Sequence, residues 1–146
     1  MSMSNASETG LLNLLFQNAN WANIGDATGL RGSSTAGSFY VALHTADPGE
    51  AGDQSTSEIS YTGYARVAIA RSAGGFTVVG DTVSNAATTQ FGECTAGSGT
   101  ATHFSVGVAS SGATAILYRG TLDASRTISS GITPLFNPGA FTGVVN

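Results

Sequence analysis

Two histidines, one cysteine and a cluster of acids are the residues of this sequence whose types could do chemistry. His44 and His103 fall on different predicted strands, and Cys94 lies in a Gly/Thr-rich stretch after Phe91. A Cys–His nucleophile pair is formally available. No strained elbow surrounds Cys94, however, and no third group is placed to orient an imidazole. Cys94 is therefore read as structural, and Cys94→Ser is expected to leave assembly intact. Both histidines are read as strand-face or interface hydrogen-bonders. The chain has 18 Ser and 18 Thr but no Gly-x-Ser-x-Gly elbow. It has no Lys, so a Gly-x-x-x-x-Gly-Lys-Ser/Thr phosphate loop is impossible. The densest charge is Asp47, Glu50, Asp53 and Glu58, four of the nine acids within a dozen residues. Oxygens at that density could hold a hard cation such as Ca²⁺, yet the spacing does not follow an EF-hand loop. A solvated loop turned at Pro48-Gly49 is the expectation. Arg66 follows and can reach a carboxylate of this loop, where an Arg–carboxylate fork would pin it. No catalytic, metal or cofactor-binding residue is assigned.

The elements that must position these residues are mostly strands. Leu11/Leu15 and Leu12/Phe16 are i,i+4 pairs, which predicts two to three turns of amphipathic helix with Ser7 as N-cap and Glu8 in the first turn. Asn18, Asn20 and Asn23 weaken it before Gly25, and Trp21 is expected to pack down on the core just past its end. From Thr28 the pattern changes to period two. Phe39, Val41 and Leu43 alternate with Tyr40, Ala42 and His44; a strand is expected again over Tyr64 to Arg71, and Gly74-Gly75 turns the chain into Phe76 to Val79. Val83 to Ala87 and Thr89 to Phe91 are weaker strands. Thr102 to Ala109 alternates most cleanly, and Ala115 to Arg119 is expected to pair back on it as a hairpin. Thr127-Ile128, Leu135-Phe136 and Phe141 to Val145 read as short terminal strands. About eight short strands with Gly-rich turns predict an all-β fold, an antiparallel β-sandwich or jelly roll with a short N-terminal α-helix. Residues 1–27 form the expected arm and helix, and residues 28–146 a single β-sandwich domain.

Composition bounds the function. Gly, Ala, Ser and Thr number 20, 21, 18 and 18 of 146 residues, and only 10% of the chain is charged. The net charge is -4 with no basic cluster, so a nucleic-acid footprint is missing. No apolar run approaches the roughly 18 residues of a membrane helix, and the N-terminus lacks the basic region of a secretory signal. A surface so poor in charge is weakly defended against association, which suits a protein that lives packed against other chains. A carbohydrate-binding sandwich is the competing class. Trp21 and four scattered Tyr give it no aromatic platform.

Several blocks carry a resemblance. Phe39 through Gly52 (Phe-Tyr-Val-Ala-Leu-His-Thr-Ala-Asp-Pro-Gly-Glu-Ala-Gly), Glu58-Ile-Ser-Tyr61 and Gly63-Tyr-Ala-Arg-Val67 are followed by Val83-Ser-Asn-Ala-Ala87, Phe91 and Thr102-His-Phe-Ser-Val-Gly107. Leu117-Tyr-Arg-Gly-Thr-Leu122, Gly131-Ile-Thr-Pro-Leu-Phe136 and Gly139-Ala-Phe141 complete the set. Together they resemble a family of small tailed-bacteriophage virion proteins, described as tail fibre-like, some of them similar to capsid cement or decoration proteins. The resemblance implies a β-rich, non-enzymatic virion component without cofactors. It makes a capsid cement or decoration protein the leading expectation, stabilising contacts between major capsid subunits. A tail, baseplate or fibre component, with a host receptor as one partner, is the alternative.

Expected partners are the major capsid protein or neighbouring virion proteins, with a homo-oligomer anticipated and neither nucleic acid nor membrane. Contacts are expected on the N-terminal segment with Trp21, on the loop carrying Asp47, Glu50, Asp53 and Glu58 with Arg66, and on the C-terminal strand near Phe141. Deleting Met1 to Ser7 is expected to weaken attachment while the domain stays folded.

Overall fold

A computed structural model describes residues 2–145 of the chain. Met1 and Asn146, the outer bounds of the two expected segments, lie outside the described residues. The order is α1 (Asn5–Gln17), β1 (Ser38–His44), β2 (Val67–Ala70), β3 (Phe76–Val79), β4 (Thr82–Asn85), β5 (Thr89–Gln90), β6 (Ser98–Gly107), β7 (Ile116–Ser129), β8 (Leu135–Phe136) and β9 (Thr142–Val144). Among the described residues, one helix and mostly antiparallel sheets make this the all-β class that the alternating pattern predicts.

The chain divides into two compact units. The first takes the chain up to Ser38, Ile69–Thr88 and the chain from Phe136 onward. Its sheet runs β3-β4-β9. Phe76, Val83 and Gly143 are buried on one face, and α1 packs on β3 and β4 through the fully buried Leu12 and Phe16. The Phe16 ring meets Phe76 edge-on at 5.0 Å. The helix starts earlier than expected: Ser4, not Ser7, is the N-cap, its hydroxyl accepting from the Ser7 N–H. Residues 5–7 are therefore the first helical turn rather than a free arm. Asn18 ends the helix in the left-handed region at φ 57°, where Asn is among the few non-glycine residues at ease. Arg71 then donates to the Leu14 and Leu15 carbonyls, two acceptors the last turn leaves without intrahelical donors. Trp21 remains partly exposed, and its indole lies over Gly10 so closely that a Cβ there would overlap the ring.

The second unit takes Phe39–Ala68 and Thr89–Leu135. It is built on the sheet ordered β2-β1-β6-β7. The register pairs Val41 with Val106 and Leu43 with Phe104 on one face, and Tyr40, Ala42 and His44 with Gly107, Ser105 and His103 on the other. Opposed residues share a face and alternate residues change it. One face is thus apolar and the other carries polar side chains into the interior.

Three strand expectations change. β2 begins at Val67 rather than Tyr64, because Tyr64 and Arg66 spend their side chains on the preceding loop. Thr127-Ile128 is the far end of the 14-residue β7, which runs on through a bulge, so it is no separate strand. Phe141 stands just outside β9, with its side chain buried and edge-on to Phe136 at 5.4 Å.

Candidate functional site

The loop from Thr45 to Glu58 lies across the polar face of the second unit's sheet. It is bound there through Gln54 and Glu58, while Asp47, Glu50 and Ser55 stay exposed as the sequence suggested. Gln54 is fully buried. Its Nε2 donates to the Tyr40 carbonyl at 2.9 Å, and its Oε1 accepts from the Thr114 hydroxyl at 3.1 Å. It seats against Gly107, where any Cβ would collide with the Gln54 amide. His44, also fully buried, bridges the Thr56 carbonyl and the Ser105 hydroxyl, each at 2.8 Å. A carbonyl can only accept, so Nδ1 carries the proton and Nε2 accepts from Ser105. Burial holds the His44 pKa below its ordinary value, with the Thr56 bond and Glu58 opposing that shift.

Two arginines fasten the ends of the loop. The Arg66 side chain is 2% exposed and forks onto Glu58, Nε to Oε1 at 2.7 Å and Nη2 to Oε2 at 2.8 Å. Its remaining donors reach the Ala109 carbonyl at 3.1 Å, the Thr114 hydroxyl at 3.2 Å and the Gly112 carbonyl at 2.8 Å. A buried guanidinium is tolerable only when its N–H groups are satisfied in this way. Arg66 thereby ties the acidic loop to the β6–β7 turn. Tyr64 adds a bond: its phenol donates to Glu58 and accepts from the Leu43 N–H, and burial pushes its pKa up. The expected Arg–carboxylate fork is present.

At the other end Arg119 of β7 holds Asp47 at 2.6 and 2.7 Å and Glu50 at 2.6 Å, all near the surface. The Gly49 N–H, then Arg119, keep the Asp47 carboxyl below the usual range. Asp53 closes its own turn on the Ser55 hydroxyl and N–H, which lower its pKa likewise. Each of the four acids thus has a partner from the chain itself. Among the described residues no cluster of three or more metal-ligating side chains forms.

Cys94 is fully buried, its thiol directed to the Ala96 and Gly97 carbonyls at 3.5 Å. A nucleophile so enclosed has no access to substrate. Trp21 and Phe141 belong to the first unit, and the acids and Arg66 to the second. Sequence reasoning missed Gln54, Ser105, Thr114 and Arg119. Gln54 sits in a polar stretch that gives no sign of burial. Arg119 is the one with a usable signal, as the cation that ends the expected Ala115 to Arg119 strand.

The site is thus a set of polar ties that fix a loop's shape. The family model described as "Podophage GP4 fiber I protein gp80" matches residues 2–143. The chain belongs to that family. No curated protein matches it. As a member of the gp80 family it is a tailed-phage structural protein and a component of the virion, and the bound loop fits a part whose work is to keep its form.

Proposed function

We propose that this protein is a non-enzymatic component of the phage fibre, joined to neighbouring virion proteins, and not a cement on the capsid. The observation that carries this reading is the match to a fibre-protein family along nearly the whole chain, residues 2–143. The alternative reading of the sequence is therefore preferred to its leading one. The chemistry agrees: the buried histidine and cysteine are spent on internal bonds, and arginine pairing fixes a long loop that would otherwise be free. A fibre part must transmit position under load, and a loop held at both ends does not have to be ordered at each contact.

The test is to decorate intact particles with gold-labelled antibody against the folded chain and image them. Label confined to the tail end or its fibres supports the proposal. Label distributed over the head surface overturns it in favour of cement.

A further inference from the structure

We propose that Thr114 and Gln54 condense into an intramolecular ester, a covalent cross-link between the acidic loop and the β6–β7 turn. Gln54 is fully buried and Thr114 half-buried. The Thr114 hydroxyl donates to Gln54 Oε1 at 3.1 Å. Arg66 reaches both members of the pair: its Nη1 lies 3.2 Å from the Thr114 hydroxyl oxygen and 3.4 Å from Gln54 Oε1. An alcohol, a carboxamide and a fixed cation are thereby gathered in one place, all within the second unit.

The step balances without a co-reactant. Oγ1 of Thr114 bonds to Cδ of Gln54 as its proton passes to Oε1, the atom to which it is already donated. The tetrahedral carbon then collapses: that proton moves to the amide nitrogen, the Cδ–N bond breaks and ammonia leaves. The product is a Thr114–Gln54 ester, and the chain is lighter by one ammonia. Arg66 supplies the electrostatic part. Its Nη1 offers positive charge to the oxygen on which negative charge develops, and a guanidinium does not surrender its proton. The Arg66 side chain is 2% exposed and forked onto Glu58, so its charge is little screened and is not free to swing away.

The surroundings hold the pair together for as long as the fold lasts. Gln54 Nε2 donates to the Tyr40 carbonyl at 2.9 Å, and Gly107 backs the carboxamide so closely that a Cβ there would overlap Cδ. Groups fixed in this way react as if present at about 10⁵–10⁸ M. A cross-link needs a single turnover in the life of the chain, so no base has to be regenerated. The partial exposure of Thr114 gives ammonia a way out. The tie also has a use. It joins positions 60 residues apart, at the turn that Arg66 holds by hydrogen bonds alone. An ester does not yield to pulling as those bonds do.

Intact-mass spectrometry of the purified full chain reads the reaction directly and does not depend on its place in the virion. The folded chain should be lighter than its sequence by one ammonia. Trypsin cuts this Lys-free chain at arginine alone, which puts Gln54 in the peptide ending at Arg66 and Thr114 in the one ending at Arg119. The two peptides should be recovered joined, and hydroxylamine should part them as it does an ester. Thr114→Ser should still lose ammonia, whereas Thr114→Val, which keeps the shape without the hydroxyl, should show its full mass. The wild-type mass decides by itself if a variant fails to fold. A wild-type chain that keeps its full sequence mass through prolonged incubation would overturn the proposal and leave the Thr114–Gln54 contact as a hydrogen bond only. So would joined peptides that resist hydroxylamine, or a loss of ammonia that persists in Thr114→Val.

Discussion

The two ends of the acidic loop use the same chemistry in opposite surroundings. At Arg66 a guanidinium is 2% exposed and its carboxylate partner Glu58 18%. At Arg119 the guanidinium is 28% exposed and its partners 48% and 92%. Arg66 forks onto Glu58 through Nε and Nη2, whereas Arg119 sets Nη1 on both Asp47 oxygens and Nη2 on Glu50, all at 2.6 to 2.8 Å. They differ in what happens when one partner is lost. In the buried pair the survivor is left charged and dehydrated, which costs far more than the pair gains by forming. In the exposed pair water takes over. Arginine pairing therefore locks the loop at one end and only guides it at the other.

The largest expected effect comes from Arg66→Ala. It strands Glu58 and removes the donors to Ala109, Gly112 and Thr114, and should cost about 3–5 kcal/mol in chemical denaturation. A loss below about 1 kcal/mol would erase the contrast between the two ends. Next is Gly107→Ala, whose Cβ must displace the Gln54 amide from the sheet. Overpacking of this kind costs about 1–3 kcal/mol, and the release of residues 53–57 would show as faster amide exchange there.

The third effect depends on pH. The folded pKa of His44 is lowered by burial, so the unfolded chain binds the proton more readily. Its contribution is fully present above the ordinary histidine value near 6.5 and is lost as pH falls below it, with a slope of up to about 1.4 kcal/mol per pH unit. His44→Asn should flatten stability between pH 5 and 6.5, above the range where Asp47 and Asp53 titrate. An unchanged slope in that variant would assign the dependence elsewhere. The smallest effect is Arg119→Ala, which should leave the denaturation midpoint of the isolated chain where it is. A large shift would mean that the exposed end also locks.

The sequence made the strands legible where one face is apolar. Phe76 to Val79 alternates because the pleat sends every second side chain inward, while Phe39 to His44 and Thr102 to Gly107 alternate in residue type although both faces of their sheet are largely covered. The Arg66–Glu58 fork was legible too, since charge and proximity in sequence suffice to suggest it. The binding of the loop was not. Gln54, Ser105 and Thr114 look like solvent residues; the register of β1 on β6 turns Ser105 inward, and Gln54 is held by the Tyr40 carbonyl and the Thr114 hydroxyl. The reach of β7 was hidden for a related reason: the bulge at Leu122 to Ser125 breaks the period by which a strand is recognised. The helix start was misplaced by one turn because Ser4 and Ser7 are equally good caps by type.

The claim that this is a fibre component is tested most directly by counting it. Quantitative mass spectrometry of purified particles, normalised to a head protein of known number, gives its copies per virion. A handful to a few tens of copies is the expected result. Hundreds, in proportion to the capsid subunits, would contradict the account and return the protein to the shell.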